Sequence, residues 1–245
     1  LAIIFYLAGW MSEKDHTQGF AKSVFPPIAI IGLYCGLILW QPDLGTMISI
    51  CLTAAIMLFV GGIRLRYFAW LTAAGVVVML GLIRLEPYRV RRITAFLNRS
   101  IDPLGIGYQI NQALIGIGSG GWFGYGYGQS RQKHSYLPEA INDSIFAVMA
   151  EELGFIRVIL ILLLFIWFIV RGIQVSYRAP DLFGKMLTVG IVGSIAAAAI
   201  VNISAITGLL PLTGIPLPFF SYGSSAMIVT LAGCGIVLNI SRQSK

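Results

Sequence analysis

Side chains able to do acid–base or nucleophilic chemistry are few in this 245-residue chain: ten Asp and Glu, two His and three Cys. Cys35, Cys51 and Cys234 each lie inside an apolar run without CxxC or Cys/His spacing, so they read as small buried apolar side chains, with neither a disulfide framework nor a metal site indicated. His16 and His134 fall on opposite sides of the topology derived below, which excludes a His-based metal site and most catalytic triads. Carboxylates are left as the acid–base groups. Asp143 follows SYLPEAIN and directly precedes a long apolar run. A carboxylate there can cap the helix, as Asn142 also can, or act as a general base at the mouth of a helix bundle. Glu139, behind Pro138, reads either as part of the same site or as a surface residue. Glu151 and Glu152, with Arg157 after them, either face a polar cavity or protrude from the bilayer with the first turns of the helix. Asp43 in QPDLGT reads as a turn leading into a helix N-cap.

A second concentration of chemistry is basic. Arg84, Arg89, Arg91, Arg92 and Arg99 stand close together after an apolar run. They read either as a solvated loop or as a guanidinium site for a pyrophosphate or another multiply charged anion, which such groups bind bidentately.

These residues need elements to hold them, and composition decides which. Only 11% of the chain is charged and 57% is hydrophobic, with a mean hydropathy of +0.84. A soluble domain carries about 25% charged residues, so a soluble enzyme, a disordered chain and an ordinary nucleic-acid binder are excluded, leaving a membrane protein. The apolar stretches are continuous, as in Val158 to Val170, and not alternating, so the spans are helices and not barrel strands. Spans are expected at Phe25 to Trp40, Thr46 to Gly61, Phe68 to Ile83, Ile145 to Val170, Met186 to Gly208 and Ser225 to Ile240. The first three are short for a crossing, which implies tilt or burial in a bundle. Leu1 to Trp10 is too short to cross alone, and the chain reads as a fragment beginning inside a span. The fold class is therefore all-α, a single polytopic transmembrane bundle over 1–245.

The net charge of +7 sits in short clusters between the spans. Arg64 and Arg66, then Arg171, Arg178 and Lys185, then Arg242 and Lys245 mark cytoplasmic loops and a cytoplasmic C-terminus. Alternation then places Gln41 to Gly45, the long loop 84–144 and the uncharged stretch Leu209 to Ser224 outside. The outer loop holds six arginines and four of the five outward carboxylates, Glu86, Asp102, Glu139 and Asp143, with Asp43 the fifth. Within it, Gly107 to Ile117 has apolar residues at helical spacing opposite Gln and Asn, as in a short interfacial helix. Gly116, Gly118 and Gly121 match GxGxxG, but no strand precedes them and GWFGYGYG follows, so they read as tight turns with interfacial aromatics. LLPLTGIPLPFFSYGS has three prolines and no charge, which implies a non-helical loop dipping back against the protein.

Three stretches together resemble one family. QPDLGT (41–46), GIGSGGWFGYGYGQSRQKHSYLPEAINDSIFAVMAEELGF (116–155) and TGLLPLTGIPLPFFSYG (207–223) are similar to the SEDS proteins, FtsW, RodA and SpoVE. The resemblance implies about ten spans, of which this chain would be the C-terminal two-thirds. It implies polymerisation of lipid II into glycan strands at the outer face of the bacterial cytoplasmic membrane, for division or cell shape. A class B penicillin-binding protein is the implied partner, beside other divisome or elongasome membrane proteins, with no nucleic acid. The family's essential aspartate falls on Asp143, with Arg89, Arg91, Arg92, Gln109, Lys133, Glu139, Ser221 and Tyr222 as substrate-binding candidates. No cofactor is named, a divalent cation such as Mg or Mn being the one candidate. The chain departs from the family pattern at Ile141, Asn142, Ser144, Arg157 and Ser224. GQSRQKHSYLPEA looks more like FtsW and SpoVE, and GIPLPFFSYG is nearer RodA, with the balance toward FtsW. A lipid II flippase and a non-catalytic scaffold are the competing readings.

Overall fold

The structure, a computed structural model, describes residues 1–13, 25–41, 43–98 and 105–243. His16, Arg99, Asp102 and Lys245 lie outside the described residues. Among those described there are ten helices and no strand: α1 (Ala2–Glu13), α2 (Phe25–Trp40), α3 (Leu44–Val60), α4 (Leu65–Leu85), α5 (Pro87–Leu97), α6 (Ile106–Ser119), α7 (Arg131–Ser135), α8 (Ile145–Arg178), α9 (Leu182–Ile206) and α10 (Ser224–Gln243). Helices follow from composition, because backbone N–H and C=O groups in lipid have to be paired within their own segment.

All six expected spans are helices. Leu65–Arg84, Ile145–Arg178, Leu182–Ile206 and Ser224–Gln243 are long and apolar enough to cross a membrane, and α2 and α3 are shorter apolar helices. The third span is not short: α4 runs 21 residues, from Leu65 to Leu85. Arg66 and Arg84 end its apolar run but not its backbone ladder, since long basic side chains carry their charge away from the helix. The turn before α3 is as expected, with Asp43 Oδ1 accepting from Thr46 N at 3.0 Å and Oδ2 from Thr46 Oγ1 at 2.6 Å. The cysteines differ from expectation, because Cys51 is exposed and Cys35 and Cys234 are half-buried on apolar helices. Cys35 and Cys51 bring their sulfurs to 3.7 Å across α2 and α3.

The chain folds as two compact units. The first comprises Leu1–Val76, Trp167–Ala197 and Ser225–Lys245. Its core includes Leu7, Met11, Met57, Met186 and Ile191, all fully buried or nearly so. Small residues permit this packing: a Cβ on Gly190 would run into Ile4 and Met57, and one on Gly172 into Val192.

The second unit comprises Val77–Ile166 and Ala198–Ser224. The expected interfacial helix is α6, reaching slightly beyond 107–117 at both ends. Two helices not anticipated there are α5 and α7. Pro87 at the first position of α5 starts it, since its ring pre-sets φ and its missing N–H is not needed there. The uncharged stretch is non-helical after Gly208, yet it buries Leu212, Ile215, Leu217 and Ser221 in protein. Phe165 of α8 packs on Phe219 and Phe220, with ring centroids 6.1 and 6.0 Å away.

Candidate functional site

The turn that carries Asp143 begins at Pro138 and ends where α8 starts. Glu139 is left-handed at φ +50°, which non-glycine residues adopt rarely and chiefly at constrained sites. Its carbonyl accepts from Asn142 N at 3.0 Å and Ser144 N at 3.2 Å, and its carboxylate accepts from Asn142 Nδ2. Because α8 starts at Ile145, the capping position is Ser144 and not Asn142 or Asp143. Ser144 is fully buried, and its Oγ accepts from Gln109 Nε2 of α6 at 3.1 Å.

Three successive carbonyls of this turn are taken by another part of the unit. Tyr222 N donates to Ile141 O at 2.8 Å, Ser221 Oγ to Asn142 O at 2.6 Å and Asn202 Nδ2 to Asp143 O at 2.7 Å. Ser221 Oγ also accepts from Leu217 N at 2.7 Å, closing the loop on itself. Phe219, the other left-handed non-glycine residue among those described (φ +69°), lies inside that loop.

Asp143 is half-buried, and its Oδ1 is shielded from solvent without a hydrogen-bond partner in the protein. Burial pushes its carboxyl above the ordinary carboxylate range, the neighbouring Glu139 charge adds to this, and the Arg92 guanidinium and Ser144 hydroxyl oppose it. Arg92 reaches from α5, donating from Nη1 to Leu212 O at 3.1 Å and from Nη2 to Tyr88 Oη at 2.6 Å. Its guanidinium stacks 4.7 Å from the Tyr88 ring centre.

The structure therefore gathers Asp143, Glu139, Arg92, Gln109 and Ser221. Arg89 is turned away: it is buried, and its Nη1 donates to Leu82 O of α4 at 3.0 Å. Arg91 and Lys133 are exposed, and Tyr222 contributes its N–H while its ring faces outward. Asn202 was not singled out by its motif context, although a lone Asn in AAAAIVNISAI is a signal, because polar side chains in membrane-length helices need partners.

The start of α8 is held by a second device. Gly154, with φ +75° and ψ 174°, breaks the helix. The carbonyls of Glu151 and Glu152 instead accept from Tyr125 N and Gly126 N at 3.1 and 3.0 Å, and Phe155 N and Ile156 N donate to Gly121 O and Trp122 O at 2.9 and 3.2 Å. A Cβ on Gly154 would strike Phe123 and Gly124 backbone, and one on Gly124 would strike Glu152. Arg157 adds a bond from Nη1 to Phe123 O at 2.9 Å. Glu151 and Glu152 neither protrude nor face outward, since both are buried. The Glu151 carboxylate accepts from Ser130 Oγ, Arg131 N and Gln132 N, serving as an external cap for α7.

The whole chain, residues 1–245, matches the FTSW_RODA_SPOVE family model, described as cell cycle protein. It is 46% identical to stage V sporulation protein E of Bacillus subtilis (strain 168), covering 100% of this chain and 67% of that protein. It is 38% identical to a probable peptidoglycan glycosyltransferase FtsW of Geobacter sp. (strain M18), with coverage of 100% and 67%. A solved structure described as showing structural coordination of polymerization and crosslinking by a peptidoglycan synthase complex aligns with a TM-score of 0.80 at 28% identity, over 98% of this chain and 67% of that one. The crystal structure of Thermus thermophilus rod shape determining protein RodA aligns with a TM-score of 0.66 at 26% identity, over 99% and 63%. The chain thus spans about two thirds of the length of these relatives.

Proposed function

The chain belongs to the FtsW/RodA/SpoVE family, and from that premise we propose that it is the main part of a peptidoglycan glycosyltransferase that polymerises lipid II, with Asp143 as the general base. It is an integral membrane protein, and among its described residues four helices are long and apolar enough to cross. The observation that carries the site assignment is the half-buried Asp143 carboxylate, with one oxygen unpartnered, on a turn whose main chain is bound on several sides.

In the proposed reaction the 4-hydroxyl of the acceptor sugar attacks C1 of the donor sugar. The new C1–O bond forms as the C1–O bond to the pyrophosphate breaks, and the hydroxyl proton passes to Asp143. Undecaprenyl pyrophosphate leaves with the electron pair. A carboxyl held above its usual range by burial is a stronger base once ionised, which suits this transfer. Arg92 supplies positive charge beside the turn, and exposed Arg91 on the same helix supplies a second guanidinium for the leaving group. Among the described residues no three His, Cys, Asp or Glu stand together as an all-protein metal cage, and no step of this reaction is routed through a divalent cation.

The topology that goes with this reading places the turn outside and the C-terminus in the cytoplasm, from the Arg64/Arg66 and Arg171/Arg178/Lys185 loops. A class B penicillin-binding protein, as transpeptidase partner, cross-links the product, in line with the complex to which the chain is structurally similar. The test is polymerisation of labelled lipid II by the full-length protein with its partner. Asp143→Ala is expected to abolish glycan chains. Polymer at the wild-type rate removes Asp143 from catalysis, and translocation of lipid II without polymer by the wild type identifies a transporter instead.

A further inference from the structure

We infer that Asn202 is a positioning residue of the polymerisation site, its amide joining the main chain of Asp143 to the Ile215 carbonyl and so fixing where the carboxylate points. This rests on the reading of Asp143 as the base. Asn202 sits in α9 among apolar residues and is 2% exposed. Its Nδ2 donates to Asp143 O and to Ile215 O, both at 2.7 Å.

Neither carbonyl has a helical ladder to rely on. Ala147 N, in the first turn of α8, donates to Ser144 O at 3.0 Å, and Asp143 O is satisfied from α9. Ile215 lies outside any helix, between left-handed Gly214 (φ +73°) and Pro216, which has no N–H. One planar amide therefore sets the spacing between the aspartate's peptide and the uncharged loop.

Asn202 Oδ1 is buried with no hydrogen-bond partner in the protein, so the amide's hydrogen bonds come from its donor end. An apolar side chain of similar shape would relieve that acceptor but leave the Asp143 and Ile215 carbonyls without their donor, so what the Asn supplies is the geometry of two donated bonds. Ser221 and Tyr222 hold the two preceding carbonyls, and Asn202 takes the carbonyl of Asp143 itself.

The charged groups around Asp143 are Glu139 on its own turn and Arg92 on α5, while α9 contributes the neutral Asn202 and the loop carries no charge. Loosening the amide bridge admits water to the carboxyl without changing those charges. The acid limb of the pH–rate profile should then move toward the ordinary carboxylate range.

The experiment uses the full-length protein with its partner, and labelled lipid II at varied concentration and pH. For Asn202→Ala and the near-isosteric Asn202→Leu, kcat is expected to fall about tenfold or more with KM within about threefold, together with a lowered acid limb. Asn202→Ser, which keeps one donor, is expected to recover part of the rate. Thermal stability is expected to fall somewhat, because two carbonyls lose their donor, while copurification of the partner stays near wild type; the shift of the acid limb is the readout that a merely structural loss does not move. The inference is overturned by wild-type kcat and an unmoved acid limb, by a rise in KM alone, or by failure of all three variants to accumulate. Asp143→Ala is run alongside: activity there defeats the base assignment, whereas loss there with full activity of the Asn202 variants defeats only the positioning role.

Discussion

Asp143 is an acid whose burial works against its own ionisation, and the consequence for stability has a definite sign. Its folded-state carboxyl lies above the ordinary range, so between the ordinary value and the raised one the folded state binds more protons than the unfolded state. Stability contributed by this group falls as pH rises through that window and is level above it. Asp143→Asn removes the buried charge and keeps the shape, so it is expected to melt higher than wild type at neutral pH. The difference should close as pH drops below the ordinary carboxylate value, as thermal melts of the detergent-solubilised protein across pH would show. The same residue legibly marked itself in the sequence, as a carboxylate directly before an apolar run. What the sequence left open was the division of the arginines, because Arg89 and Arg92 are three positions apart on one amphipathic helix and only packing decides that one bonds back to Leu82 O and the other onward to Leu212 O.

At the scale of elements, α8 is two helical segments joined at a glycine, and the 121–126 loop supplies the hydrogen bonds that the break removes. Gly154→Ala would need both a left-handed φ and space already filled by Phe123 and Gly124 backbone. We expect a loss of about 2–4 kcal/mol, seen as a much lower melting temperature and poor accumulation. Glu151→Ala leaves three donors of Ser130, Arg131 and Gln132 without their acceptor, at a cost of about 1–3 kcal/mol, and frees α7 to fray. Protection of the Gln132 and Lys133 amides in hydrogen exchange should drop in that variant. Both effects were hidden in the sequence. GxGxxG looked like turns and EELGF like the run of a helix, because periodicity reports one element's face and not the backbone of another lying against it.

For the whole molecule, the first unit carries the basic loop residues Arg64, Arg66, Arg171, Arg178 and Lys185, and the second carries Asp143, Arg92, Asn202 and Ser221. The proposed sidedness is checked by labelling in a background without Cys35, Cys51 and Cys234. Tyr127→Cys, at a residue 91% exposed, should react with a membrane-impermeant maleimide in intact cells, and Arg178→Cys only after permeabilisation. Reversed labelling would overturn the topology. The sequence alone determined the helical membrane class, six apolar helices and the segment bearing the candidate chemistry, because hydration cost and helix period act residue by residue along the chain. Only the tertiary structure decided which polar groups meet: Asn202 lies 59 positions from Asp143 and Ser221 79 from Asn142. Such pairings are set by how helices and a proline-rich loop pack, and no local spacing encodes them.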